Sequence, residues 1–362
     1  MERIEYFDRA RAFGMFLVYY GHFAEQLARN HYDAAFLQMK FIYSFHMPLF
    51  FFMAGVFWKP VSDIRSVFRR KIQTRIIPVL FWSIALIPFW LTVSPPPEIL
   101  HKMTIYASGF PAFNGLTWFL VCLFSLEMIA SIIYKRFMLD WRKAIAISTV
   151  SFLLGFFVIN PFGFIWYVGE SLVVMSFYFV GYSLKKFLSK NHNDLKWTML
   201  FFAIFSVILF LTFDLNTGPF PAQFPVVMLA LLSHGNPWYF LLSAFAGIFA
   251  TLAFTSSLKI ASRPVRFISE NLLIFLGLNG ICFHFLNQYF ISNMGSIPDK
   301  GSAVFLFSSI YTVAVMLSFS PMVIALRRWI PELVGYPWEP HSLLPPLDGW
   351  FSKRVRKSVE VD

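Results

Sequence analysis

Three side chains in the first fifty residues bring acid–base chemistry to places where water is scarce: Arg11, His22 and His46, each inside or at the edge of an apolar run. Ionisable groups in such segments are costly and by default mark a functional interior. Arg11 and His22 are eleven residues apart. At 100° per residue that returns to within about 20° on the helical wheel and separates them by about 16 Å along one face. One helix would therefore carry a guanidinium at a cavity mouth and an imidazole near or beyond the membrane midplane. His46 lies in FIYSFHMPLFFFMAGVFW, thirteen residues ahead of Lys59, which gives it a depth like that of His22. Two neutral imidazoles at one level suit proton abstraction, because histidine accepts and returns a proton near neutral pH. Metal ligation is the weaker reading, since no Asp, Glu or Cys accompanies them at ligand spacing. The bland alternative for the first pair is a snorkelling arginine and an incidental buried histidine.

Further polar groups interrupt the later apolar runs: Glu127, Glu170, Asn271, Asn279, His284, Asn287 and Gln288. Asn279 and His284 are candidates for hydrogen bonds to a polyol, with helix-to-helix bonding as the competing role. Trp118, followed by Phe119, is placed to stack on a sugar ring or to anchor at the membrane interface. Glu127 joins this acceptor-side group, or pairs with an interior cation. Arg70, Lys71 and Arg75 form a basic run ahead of Pro78, and Arg75 directly precedes the apolar IIPVLFW, where it could meet phosphate at a cavity mouth. No Gly-rich phosphate loop, G-x-S-x-G elbow or H-E-x-x-H is present.

The elements that must hold these groups follow from composition. The 362 residues are 57% hydrophobic and only 14% charged, well under the roughly 25% charge of soluble domains, so a lipid bilayer is the implied solvent. At about 20 apolar residues per span, apolar runs near 12–28, 36–58, 76–94, 115–134, 143–160, 166–184, 196–213, 238–258, 270–291 and 303–326 predict an all-α, polytopic integral membrane protein of about ten transmembrane helices. The net charge of +11 suits cytoplasmic loops rather than nucleic acid. All but four of the thirty Lys and Arg fall on alternate connections, the exceptions being Arg29, Lys40, Lys102 and Lys300. That asymmetry puts both termini in the cytoplasm. Cys122 and Cys282 lie in apolar runs with neither disulfide nor zinc spacing. Residues 1–330 read as one membrane domain and 331–362 as a basic cytoplasmic tail. The connection at 214–237 is the largest on the outer side and has room for a re-entrant or lid element. A proton-coupled secondary transporter of a small or sugar-like solute would use the same buried groups as a proton relay.

The order FDRARAFGMFLVYYGH, FIYSFHMPLFFFMAGVFW, RIIPVLFW and TWFLVCL resembles the acyltransferase 3 family of integral-membrane acyltransferases, over residues 5–125 most closely. FISENLLIFLGLNG at 267–280 is similar to a later family segment. The resemblance implies transfer of an acyl group, most often acetyl from cytoplasmic acetyl-CoA, to a hydroxyl of a cell-surface polysaccharide, glycolipid or glucan. It implies a multi-pass protein of the bacterial inner membrane, with acyl-CoA as co-substrate and no permanently bound cofactor or metal. Carried over, it makes Arg11, His22 and His46 catalytic, has Arg11, Arg70, Lys71 and Arg75 hold the CoA, and gives Trp118 a matching aromatic. The chain departs from the pattern in having Ile72 where a second arginine often stands, and Gly277-Leu278-Asn279 where the late segment often ends in histidine.

Overall fold

The computed structural model describes residues 4–159, 165–189, 195–218, 225–258, 262–295 and 298–347. Its helices are α1 (Glu5–Arg29), α2 (Asp33–Tyr43), α3 (His46–Val56), α4 (Ile64–Lys71), α5 (Ile77–Val93), α6 (Pro96–Ile105), α7 (Trp118–Phe137), α8 (Trp141–Leu154), α9 (Val168–Leu188), α10 (Leu195–Thr212), α11 (Pro237–Ser257), α12 (Arg263–Glu270), α13 (Leu272–Ile281), α14 (Asn287–Asn293) and α15 (Gly301–Trp329). Among the described residues there is no strand, only a single bridge between Met228 and Ser233. The protein is an all-α polytopic membrane protein.

Among the described residues nine segments are long and apolar enough to cross a bilayer, several of them joining two elements: Asp33–Val56 takes in α2 and α3, Ile64–Val93 takes in α4 and α5, and Leu272–Asn293 takes in α13 and α14. The expected count was about ten, and the difference is α1. Its 25 residues give about 37 Å of helix, but Asp8, Arg9, Arg11, Glu25 and Arg29 make it too polar to face lipid. The fold resolves this by enclosure. Fifteen of its residues are buried, including Glu25, against α2, α11, α12 and α15. The reverse holds for α10, LKWTMLFFAIFSVILFLT, which is apolar all round and has only 11% of its spanning window buried, against 83% for Asp33–Val56. A helix without a polar face, on the outside of a bundle, is one solvated by lipid.

Helix ends and side-chain pairs tie the connections down. Asp140 caps α8 by accepting the Lys143 N–H at 2.9 Å, and Asn236 caps α11 by accepting those of Trp238 and Tyr239, with Pro237 at the first helical position. Three of the four cations assigned to the far side of the bundle are neutralised there: Arg29 by Glu25, Lys40 by Asp214 at 2.6 Å, and Lys102 by Glu98. The described parts of the 214–237 connection fold into the protein rather than over it. His234 is buried and bonded to the buried Glu170 of α9 at 2.7 Å, and the Asn216 amide donates to the His234 carbonyl. Residue 160 of the expected fifth span, Pro219 and Pro221 of that connection, and residues 348–362 of the tail lie outside the described residues. So do the cations Arg3, Lys190, Lys259, Lys353, Arg354, Arg356 and Lys357. Single π-helical turns interrupt the α-helices at Ile72–Ile76, Gly155–Ile159 and Cys282–Leu286.

Candidate active site

The periodicity of α1 puts Arg11 and His22 on the same side of the bundle interior, and α13 supplies the partner of the histidine. Asn279 is fully buried, and its Nδ2–H donates to His22 Nδ1 at 2.8 Å, while its Oδ1 has no hydrogen-bond partner. Two glycines let α13 come close enough to deliver that amide. A Cβ at Gly277 would lie 2.0 Å from the Trp82 indole, and one at Gly280 would lie 2.3 Å from the Asn114 amide oxygen. Asn114 in turn donates to the Gly277 carbonyl at 3.1 Å, fixing α13 against the turn that precedes α7.

His46 is the first residue of α3, just past the break at Ser44-Phe45 that ends α2. The break exposes the Ile42 carbonyl, and His46 Nδ1–H donates to it at 2.9 Å. A carbonyl only accepts, so Nδ1 carries the proton and Nε2 keeps a free lone pair. Tyr43 joins the two histidines: its ring stacks on His46 at 5.0 Å between centroids and meets His22 edge-on at 6.1 Å. The Tyr43 hydroxyl donates to buried Glu25, which also holds Arg29 at 2.6 Å. Neither Tyr43 nor Glu25 stood out in the sequence. The usable signal was the spacing of Tyr43, three residues before His46 and so on its face if the helix ran on.

The basic residues line a cavity of about 440 Å³ in the half of the bundle where α4 begins, within the range of small-molecule sites. Its wall includes Arg11, Lys59, Arg70, Lys71 and Arg75, against two carboxylates, Glu127 and Glu270, an excess of three positive charges. Apart from Ser269 and Tyr336 the rest of the wall is apolar, from Phe57 inward to Val18 and Met47. Val18 is four residues before His22, so on α1 the cavity stops about one helical turn, 6 Å, short of that histidine, while on α3 it reaches Met47, the residue after His46. Arg75 stands in a π turn, whose extra residue resets the register of the side chains before α5. Arg11 lies 4.1 Å from the centre of the Phe57 ring and 3.8 Å from Asp8.

These contacts place two of the residues read for the acceptor side. Glu127 takes up the interior ion pair that the sequence left open as its alternative. It is buried at the basic cavity, bonded to Lys71, and to Arg75 at 3.2 and 3.3 Å, because two cations this far inside need a counter-ion. Trp118 is 5% exposed and packed on Tyr167, Phe51 and Phe119, so its ring is part of the core in this structure. Asn279 faces His22, as described. His284 sits in the second site-bearing π turn, beside Trp90 at 5.3 Å, with a buried Nε2 that has no partner. Arg70 is exposed at the cavity rim. Among the described residues no three His, Cys, Asp or Glu side chains converge on a point that would hold a metal.

A cation-lined cavity thus lies just below a histidine pair inside a membrane-spanning helical bundle. An acyltransferase-domain family model matches residues 4–323, and the chain belongs to that family, acyltransferase 3. It is an integral-membrane acyltransferase. No curated protein and no solved structure shows significant similarity to it.

Proposed function

We propose that the protein is an O-acyltransferase of the bacterial cytoplasmic membrane that moves an acyl group, acetyl in the simplest case, from cytoplasmic acyl-CoA to a hydroxyl of an extracytoplasmic or lipid-linked carbohydrate. The observation that carries this reading is the cavity, with its excess of positive charge and a wall that reaches Val18, one turn before His22, and Met47, the residue after His46. With the basic half facing the cytoplasm, as the loop charges imply, the phosphates of CoA lie against Arg11, Arg70, Lys71 and Arg75. The thioester points up the apolar wall towards the histidines.

The acceptor arrives from the opposite side. His22 Nε2 takes the proton of its hydroxyl, the oxygen attacks the thioester carbon, the C–S bond breaks, and the departing CoA thiolate recovers the proton from His22. This role requires Nδ1 to carry a proton. Asn279 supplies the acceptor when its Oδ1 rather than its Nδ2 faces the ring, and the amide can serve either tautomer. His46, with Nε2 open, orients the hydroxyl or shares the proton. The test is to give reconstituted wild type and His22→Ala labelled acetyl-CoA with a panel of envelope glycans, following free CoA and labelled ester. Wild type alone should form ester. A folded, active His22→Ala protein would remove His22 from the reaction, and a wild type that moves solute unchanged without consuming acetyl-CoA would replace transfer with transport.

A further inference from the structure

The matched domain ends at residue 323, inside α15, but the chain beyond it stays with the bundle. Pro331–Val334 forms a 3-10 turn, Gly335 takes φ +91°, and the chain returns Tyr336 to the wall of the basic cavity. A side chain at 335 would be strained by that φ and would meet Leu273 Cδ1 at 2.7 Å. The segment is fastened along its length. Pro331 and Val334 are buried, the Tyr336 N–H donates to the Pro331 carbonyl, the Leu343 N–H to the Trp329 carbonyl at 2.8 Å, and the Leu347 N–H to the Glu332 carboxylate at 2.9 Å. Behind Tyr336, the Arg327 guanidinium lies 3.6 Å from the ring centre. Burial pushes the Tyr336 hydroxyl up to about 12, so it remains a neutral donor at physiological pH.

Depth then indicates what passes this ring. Tyr336 is at the level of Leu273, six residues and about 9 Å of helix below Asn279, whereas Arg11 is about 16 Å below His22. The arm that joins the thioester of acyl-CoA to its phosphates carries two amides and reaches roughly 15 Å, as far as four to five extended residues. With the thioester at His22 and phosphate at Arg11 and Arg75, the middle of that arm runs beside Tyr336. We propose that Pro331–Leu347 is a fixed strap completing the acyl-donor site, and that Tyr336 binds the amide-bearing arm of the donor. Its ring packs on the arm and its hydroxyl donates to an arm carbonyl. The inference rests on acyl-CoA being the donor.

The test compares CoA with adenosine 3′,5′-bisphosphate, which has phosphates but no arm, on wild type, Tyr336→Ala and Tyr336→Phe. Tyr336→Ala should weaken CoA about tenfold and leave the bisphosphate unchanged, with Tyr336→Phe losing about threefold for CoA alone. Equal losses for both ligands, or none for CoA, would overturn the assignment. Wild-type protein that binds no CoA would overturn the donor reading and the strap with it, a result distinct from loss of Tyr336 dependence. Should Tyr336→Ala fail to fold, amide exchange in the wild type decides: rates at 332–336 should slow with CoA and not with the bisphosphate, and rates insensitive to CoA would refute the contact.

Discussion

Replacing Glu127 by alanine tests the charge logic of the cavity. Its carboxylate is 5% exposed and shared by Lys71 and Arg75, themselves 12% and 18% exposed. Stripping one partner from a buried ion pair costs about 3–5 kcal/mol. Both cations stand on the wall of an accessible cavity, so water relieves part of that, leaving about 2–3 kcal/mol. At about 2 °C per kcal/mol for a long chain, the melting temperature in detergent should fall by about 4–6 °C. The same substitution raises the positive excess of the wall from three to four. A phosphate-bearing ligand then replaces the missing anion. CoA at a hundred times its dissociation constant stabilises any binder by about 2.7 kcal/mol, and in Glu127→Ala the shift at equal CoA should exceed that of wild type by at least about 1 kcal/mol. Glu127→Gln, which keeps the shape and one acceptor, should fall between. Thermal-shift curves with and without CoA read both effects. A Glu127→Ala protein as stable as wild type, with an equal CoA shift, would show that Lys71 and Arg75 do not depend on this carboxylate and that the cavity does not select by charge.

The remaining predictions concern the histidine and a helix cap. Asn279→Ala should lower ester formation about 10- to 100-fold with CoA affinity unchanged, from about 1 kcal/mol of hydrogen bond plus loss of ring orientation; turnover within twofold of wild type would remove Asn279 from the machinery. The Lys143 backbone N–H holds the Asp140 carboxyl below the ordinary aspartate value of 3.8, so the cap on α8 is complete above that value and is lost as pH falls through the lower, folded one. Hydrogen exchange, corrected for its intrinsic pH dependence, should show the first-turn amides of α8 losing protection only as pH falls below the ordinary aspartate value, and Asp140→Ala should lack that protection at neutral pH as well. An Asp140→Ala protein with wild-type protection at neutral pH would mean the cap is held by other groups.

Residue spacing reached some of this arrangement and tertiary contact governed the rest. A period of 3.6 is enough to align Arg11 with His22 and to count His46 to a similar depth, and in the structure both histidines touch one ring, Tyr43. Arg75 was visible as a cation directly ahead of an apolar run. Asn279 was visible only as a polar residue in an apolar helix: its bond to His22 joins residues 257 apart, and no local pattern encodes such a partner. For Glu127 an interior cation was one of two readings, and its actual partners, more than fifty residues upstream, were out of reach for the same reason. Trp118 begins its helix as an interfacial anchor would, and only the approach of Tyr167 shows that it is enclosed. The π turns at Arg75 and His284 depend on a single extra residue per turn, which hydropathy does not register. The strap reads as tail because it follows the last apolar run.

The enclosure of α1 also imposes an order on how the protein is made. Among the described residues α1 is the one long helix that fails the apolar test, and the Asn279 bonded to its histidine is 257 residues later in the chain. At about 5–20 residues per second, roughly 13–50 s of synthesis separate the two. Through that interval Arg11 and His22 have neither α13 nor α15 beside them. A segment with that charge load gains little by entering lipid alone. Helix α1 is therefore committed late, held near the surface until α13 and α15 build the walls around it, and closure of the bundle about His22 becomes the event that completes its insertion.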